Sequence, residues 1–213
     1  MAVEIIPAIV PKNFTELQAK LGRLEGAVAW AQIDIADGLF TPDYTWDNAE
    51  DLNQLEGKTK LEVHLMVEEP EAVITDWLRV ADRIIVHPES TAKLEQIFTE
   101  VNEAPQGARR LGLALLLDTP LEKLAPWLTK INLVQLMGIE SIGHQGEPFA
   151  PATLERVRAL RERAPDVTIS VDGGVNLANA KSLVAAGANQ LVIGSAIWQA
   201  PDPLAALAQF KAL

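Results

Sequence analysis

Short runs of β-branched and aliphatic residues recur from one end of the chain to the other, at residues 4–10, 29–36, 60–66, 82–87, 110–117, 131–138, 167–172 and 190–194. Most are continuously apolar rather than alternating, the pattern of strands buried on both faces of a parallel sheet. Helix-favouring stretches separate them. Asn13 followed by Glu16 reads as an N-cap with a carboxylate in the first turn, opening a helix whose inward face is Leu17, Leu21 and Leu24. A second helix is expected over 70–80, with Pro70 at its first position. Others fit 91–103, 121–129, 151–164, 176–186 and 203–212, while 47–55 shows no decisive period.

Eight strands alternating with helices imply parallel pairing through right-handed crossovers. A doubly wound open sheet would call for a glycine-rich loop after the first strand, and Pro11-Lys12-Asn13-Phe14 has no glycine. The expectation is therefore a single (β/α)8 TIM barrel over residues 1–213, with no linker dividing it. The longest irregular stretch, Gly138–Phe149, is the loop expected to serve function.

Several strands end in polar residues. Ile33-Asp34-Ile35, Val63-His64-Leu65 and Val171-Asp172-Gly173-Gly174 each place a carboxylate or imidazole near a strand's C-terminal end, where barrels assemble their active sites. Alternate residues of a strand face inward, so Gln32 shares a face with Asp34, Glu62 with His64, and Ser170 with Asp172. Asp34 and Asp172, approaching from opposite sides of a barrel, suit two-base epimerisation: one removes a proton and the other returns it to the opposite face. With His64 they form a mixed N/O set suited to Zn²⁺, Mn²⁺ or Fe²⁺, which would stabilise an enediolate. An Asp before Gly-Gly also serves simply to shape a turn. Three such residues at matching strand ends are what shift the reading toward chemistry.

Gly173-Gly174 and Gly194-Ser195 follow the seventh and eighth strands, the recurring phosphate site of such barrels. Glycine there lets backbone N–H groups approach an anion, although one such glycine alone need only tighten a turn.

Charge and composition narrow the partners. A net charge of −11 argues against nucleic acid and anionic membrane surfaces, but not against a small anion held by backbone amides. The absence of cysteine removes disulfides and thiolate chemistry. Met1 to Pro7 does not read as a signal peptide, and no apolar run reaches the ~20 residues of a membrane span, so a cytoplasmic protein is expected.

Together these residues resemble the ribulose-phosphate 3-epimerases, phosphate-binding barrels that interconvert D-ribulose 5-phosphate and D-xylulose 5-phosphate. The likeness covers nearly the whole chain. It is carried by Asp34-Ile35-Ala36-Asp37-Gly38-Leu39-Phe40-Thr41-Pro42, Glu62-Val63-His64-Leu65-Met66, Val86-His87-Pro88-Glu89 and Thr119-Pro120-Leu121-Glu122. It continues in Met137, Val171-Asp172-Gly173-Gly174, Ala186-Gly187-Ala188-Asn189 and Gly194-Ser195-Ala196-Ile197. The resemblance implies Asp34 and Asp172 as acid–base pair and metal ligands, and His64 as a metal-binding histidine. It implies a divalent Zn, Fe, Mn or Co cofactor, no nucleotide cofactor, and a small phosphorylated sugar as substrate. Gly173, Gly174, Gly194, Ser195, Met137 and Gly146 would contact that substrate or its phosphate. A homo-oligomer is left open.

Departures cluster at the reactive end. The family's first metal-binding histidine is Gln32 here, a neutral and weaker ligand whose metal role is the doubtful one. A substrate-contacting serine is Ala8, a methionine two residues after the first Asp is Ala36, and Asn-Pro after the fifth strand is Leu116-Leu117. The loop that usually contains Pro-Gly-Phe-Gly-Gly-Gln is one residue longer here and reads Ser141-Ile142-Gly143-His144-Gln145-Gly146 in that place. Two rival readings remain beside an epimerase-like isomerase. A decarboxylase on the same scaffold would need a lysine where Ala36 stands. A phosphosugar-binding barrel without turnover would be consistent with Ala8 and Gln32.

Overall fold

The structure is a computed structural model, and it describes residues 3–104 and 111–213. Eight parallel strands close into a barrel in the order of the chain: β1 (Glu4–Ile9), β2 (Trp30–Ala36), β3 (Lys60–Met66), β4 (Arg83–Val86), β5 (Leu111–Leu115), β6 (Leu133–Met137), β7 (Thr168–Asp172) and β8 (Gln190–Ile193). Each expected strand is present, mostly trimmed by a residue or two at its ends. The expected fifth strand starts at residue 110, which lies outside the described residues, as do residues 1 and 2.

The helices are α1 (Phe14–Leu24), α2 (Ile74–Val80), α3 (Leu94–Glu103), α4 (Ala152–Arg163), α5 (Leu177–Ala186), α6 (Ser195–Trp198) and α7 (Pro203–Lys211). The Asn13 cap forms as read, its Oδ1 accepting from Glu16 N at 2.9 Å, and Leu17, Leu21 and Leu24 are buried. Pro70 opens a 3₁₀ turn, Pro70–Ala72, that precedes α2 rather than continuing into it. The expected helix over 121–129 is a correction. Only the 3₁₀ turn Leu121–Leu124 forms, followed by turns in which Lys130 N and Ile131 N both bond Trp127 O. Leu121 and Leu124 still bury their side chains, so the apolar spacing was met by tight turns instead of a helix. The undecided segment 47–55 is a 3₁₀ helix, Ala49–Gln54. Among the described residues no helix is long and apolar enough to cross a membrane.

The outward faces of the strands and the inner faces of the helices form the main core, which includes Ile9, Ile33, Val63, Leu113, Val134, Val171 and Ile193. The barrel interior is more polar. Gln32 pairs in register with Glu62, Gln135 with Ser170, and Ser170 with Gln190, so a layer of polar side chains lies inside the strands. Glu62 is fully buried and ion-paired with Arg83, whose guanidinium stacks on Trp30 at 4.3 Å. One register step further along the strands, Asp34 stands beside His64, and Met137 beside Asp172.

At the opposite end, Arg161 of α4 ties the last two βα units together. It donates to Pro165 O at 2.7 Å, Val167 O at 2.8 Å, Gly187 O at 2.9 Å and to Asn189 Oδ1, which also accepts from Ile169 N at 2.9 Å. Because these carbonyls lose charge-assisted donors together, Arg161→Ala should lower unfolding free energy by about 2 kcal/mol. Urea denaturation should show the shift at unchanged slope, with Arg161→Lys losing less.

Candidate active site

Asp34, His64 and Asp172 meet at the C-terminal mouth of the barrel, with one donor atom from each within 4.8 Å of the others. Strand geometry brings them there. Asp34 and His64 are register partners on adjacent strands, and Asp172 comes from β7 on the far side. His64 Nδ1 lies 3.4 Å from Asp34 Oδ1 and 3.4 Å from Asp172 Oδ2. His64 is fully buried, and the two aspartates are nearly so. Burial pushes the Asp34 carboxyl above its usual range, opposed by the bond to His64, and the charge on Asp172 adds to the rise. Burial works against a charged His64, but the two carboxylates outweigh it and hold its pKa up at about 9.

Behind His64 the rings continue. His64 Nε2 and His87 Nε2 are 2.9 Å apart, with the rings stacked at 5.0 Å between centroids. Burial, reinforced by the charge of His64, pushes His87 down to about 4, so near neutral pH the pair carries one positive charge, on His64. Glu89 stands 3.6 Å beyond His87 Nδ1 and accepts from Leu116 N at 3.0 Å.

Gln32 and Gln135 complete the inner layer. Gln32 Nε2 donates to Asp34 Oδ1 and Asp172 Oδ2, each at 2.7 Å. Gln135 Nε2 donates to Asp172 Oδ2 at 2.9 Å and lies 3.2 Å from His64 Nδ1. Gln32 therefore joins the expected group, but through its amide N–H and not through the oxygen a metal would need. Gln135 was not singled out in the sequence. Its signal was available: it is a polar residue in an otherwise apolar strand, two positions before Met137 and so on the same face.

The glycine loops lie around the same cavity. Gly173, Gly174, Gly194, Ser195, Met137 and Gly146 all line it, with Asp34, His64 and Asp172 at its floor. Gly174 has φ +67, and a Cβ there would fall 2.5 Å from Phe149 Cα, so both conformation and packing require glycine. Asn176 and Asn179 anchor Gly174 O at 3.1 and 3.0 Å. The N–H groups of Gly174 and Ser195 donate to no acceptor among the described residues.

The cavity itself is only about 40 Å³, because the loop 138–149 folds over it. Gln145 Nε2 reaches Ala8 O at 3.1 Å. His144 bridges Asp43 on the loop after β2, 2.7 Å from Nδ1, and Glu147, 2.9 Å from Nε2.

Comparison with known proteins decides the family. A model of the ribulose-phosphate 3 epimerase family matches residues 4–198. The chain belongs to this family. It is 34% identical to ribulose-phosphate 3-epimerase from Synechocystis over 97% of this chain and 92% of that protein. The Schizosaccharomyces pombe ribulose-phosphate 3-epimerase is 32% identical over 94% of this chain and 89% of its own. Among solved structures, 3-hexulose-6-phosphate synthase from Salmonella typhimurium shares the fold, with a TM-score of 0.75 at 12% identity, covering 99% of this chain and 97% of that one. A Streptococcus mutans structure described as KGPDC superposes with a TM-score of 0.72 at 17% identity, covering 100% of this chain and 97% of that one. At these identities the two structures speak for the barrel alone.

The His144 bridge generates a pH prediction. The bonds to Glu147 and Asp43 raise its pKa, so the charged imidazolium favours the closed loop. That contribution should be complete below about 6.5 and lost as pH rises through the elevated folded value. Hydrogen exchange of residues 141–147, corrected for intrinsic rate, should show protection falling over that window. In His144→Gln protection should be low throughout.

Proposed function

We propose that the chain is a ribulose-phosphate 3-epimerase-like isomerase that moves a proton between the two faces of one carbon of a small phosphorylated ketose. The observation that carries this reading is the convergence of Asp34 and Asp172 on one buried cavity beside glycine loops with unused N–H groups. One carboxylate takes the proton on the carbon next to the carbonyl, and the C–H electron pair flows into that carbonyl to give an enediolate. The other carboxylic acid then returns a proton to the opposite face, inverting the centre. The raised pKa of Asp34 suits a group that must hold a proton for part of the cycle. The inner oxygens, Asp34 Oδ1 and Asp172 Oδ2, are engaged by Gln32, which leaves the outer oxygens for the substrate.

Asp34, His64 and Asp172 fit a divalent cation: two carboxylates and one imidazole, buried and within 4.8 Å, match a three-ligand site. Bound there, the cation would supply Lewis-acid stabilisation of the enediolate oxygens. The backbone amides near Gly174 and Ser195 would hold the phosphate monoester, with Gly173, Gly194, Gly146 and Met137 shaping the space around it. Gln145 and neighbouring residues of its loop line this space, so the loop would shield the bound sugar phosphate from water, with its displacement opening the way in.

Incubation with D-ribulose 5-phosphate in heavy water, with and without added divalent metals, tests the chemistry. Wild-type protein should exchange the proton at C3, and Asp34→Asn and Asp172→Asn should each slow exchange by about 100-fold or more, since an amide accepts no proton. Exchange that is absent while the phosphosugar still binds would establish instead a binding barrel without turnover, a reading favoured by Ala8 beside the closed loop.

The phosphate site has its own test. A bulky residue at Gly174 would strike the Phe149 backbone and disturb the fold, so Gly194 is the better position. A methyl there meets mainly the flexible end of Gln145. Gly194→Ala should weaken phosphosugar binding by roughly tenfold in calorimetry, equivalent to ~1.4 kcal/mol, with the melting temperature little changed. Unchanged affinity would place the phosphate elsewhere.

A further inference from the structure

Two amide nitrogens lie against the three atoms at which Asp34, Asp172 and His64 approach one another most closely. Gln32 Nε2 bonds Asp34 Oδ1 and Asp172 Oδ2 at 2.7 Å each, while Gln135 Nε2 bonds Asp172 Oδ2 at 2.9 Å and sits 3.2 Å from His64 Nδ1. Both side chains are fully buried, and the oxygen of each amide faces no partner among the described residues. Turning either amide over would set its oxygen lone pairs against carboxylate oxygens 2.7–2.9 Å away, so the carboxylates themselves dictate that N–H points inward.

We propose that Gln135 is a further residue of this site, and that with Gln32 it forms a neutral amide clamp that competes with the divalent cation for the inner oxygens of Asp34 and Asp172. This inference rests on the assignment of those three residues as the cation-binding group. The physical reason is direct. Carboxylate lone pairs that accept N–H bonds are not free to ligate, and a fully buried hydrogen bond is costly to leave unmade. Binding a cation at these inner oxygens therefore requires the clamp to be broken or turned, so affinity there falls below what the three ligands would otherwise give. In the metal-free protein the same clamp holds the two aspartates together and spreads their charge over N–H dipoles. Gln135 is thus a positioning residue for Asp172, acting through it and not on substrate.

The test is read without substrate, so its outcome is independent of whether the protein epimerises anything. Chelator-treated wild type, Gln135→Met and Gln135→Asn are titrated with Zn²⁺ and Co²⁺ by calorimetry, following the Co²⁺ visible spectrum in parallel. Methionine keeps the volume without donors, and asparagine withdraws the N–H by one methylene. Both variants should bind Co²⁺ about tenfold more tightly than wild type. In wild type, the side-chain amide proton signals of Gln32 and Gln135 should be protected from exchange without metal and lose that protection as Zn²⁺ is added. Affinity that is unchanged or weaker in the variants overturns the clamp, weaker binding marking Gln135 as a ligand in its own right. Should neither variant fold, amide signals of wild type that do not respond to Zn²⁺ overturn it by themselves. If no protein in the series binds either metal, while the variants are folded, then the cation site itself is wrong and the clamp falls with it.

Discussion

Two carboxylates brought within a few ångströms of each other inside a protein repel, and both lose hydration; the mouth of this barrel is organised around that constraint. Asp34 and Asp172 are tolerated because an imidazole and two amides converge on their inner oxygens. His64 carries the compensating positive charge, and its far nitrogen is held by His87, which burial keeps neutral. Remove the two carboxylates and the rest of the cluster loses its electrostatic reason: burial would neutralise His64, and the two amides would lose their acceptors.

The same mouth divides into two chemically distinct halves. On one side are buried ionisable groups, among them Asp34, His64 and His87 with displaced pKa values. On the other are glycine-rich turns after β7 and β8 that line the cavity, with the N–H groups of Gly174 and Ser195 unpaired among the described residues. Proton transfer needs charge confined in a dry place, whereas a phosphate needs dipoles and close backbone approach. A barrel satisfies both at once because neighbouring strands deliver their ends to one rim. The loop from Gly138 to Phe149 then sets access, anchored by Gln145 on Ala8 O and by His144 between two carboxylates.

Local signals were strong where a residue's role depends on its own strand or turn. The strand runs, the Asn13 cap, and the placing of Asp34, His64 and Asp172 at strand ends were legible from period and position. They failed where competing local solutions exist. Residues 121–129 have the apolar spacing of a helix, but tight turns bury the same leucines over a shorter path. Gln135 could be placed on an inward face from its spacing to Met137, yet its partners lie on β3 and β7, at sequence separations of 71 and 37 residues.

The order of elements, the closed parallel barrel and the family were determined by the chain's pattern of apolar runs and by the residues that end them, because a period of two along a strand dictates which residues face inward whatever the neighbours are. Which atoms meet was decided only in three dimensions. That Gln32 presents N–H instead of C=O follows from two carboxylates arriving on either side of it. That His64 is charged while His87 is neutral follows from which of the two rings faces those carboxylates. The state of the cavity, closed by Gln145 to about 40 Å³, follows from a loop whose length is visible in the sequence but whose resting place depends on Asp43 and Ala8, more than a hundred residues away. Charge and hydrogen-bond complementarity act over distances in space, and only the folded barrel sets those distances.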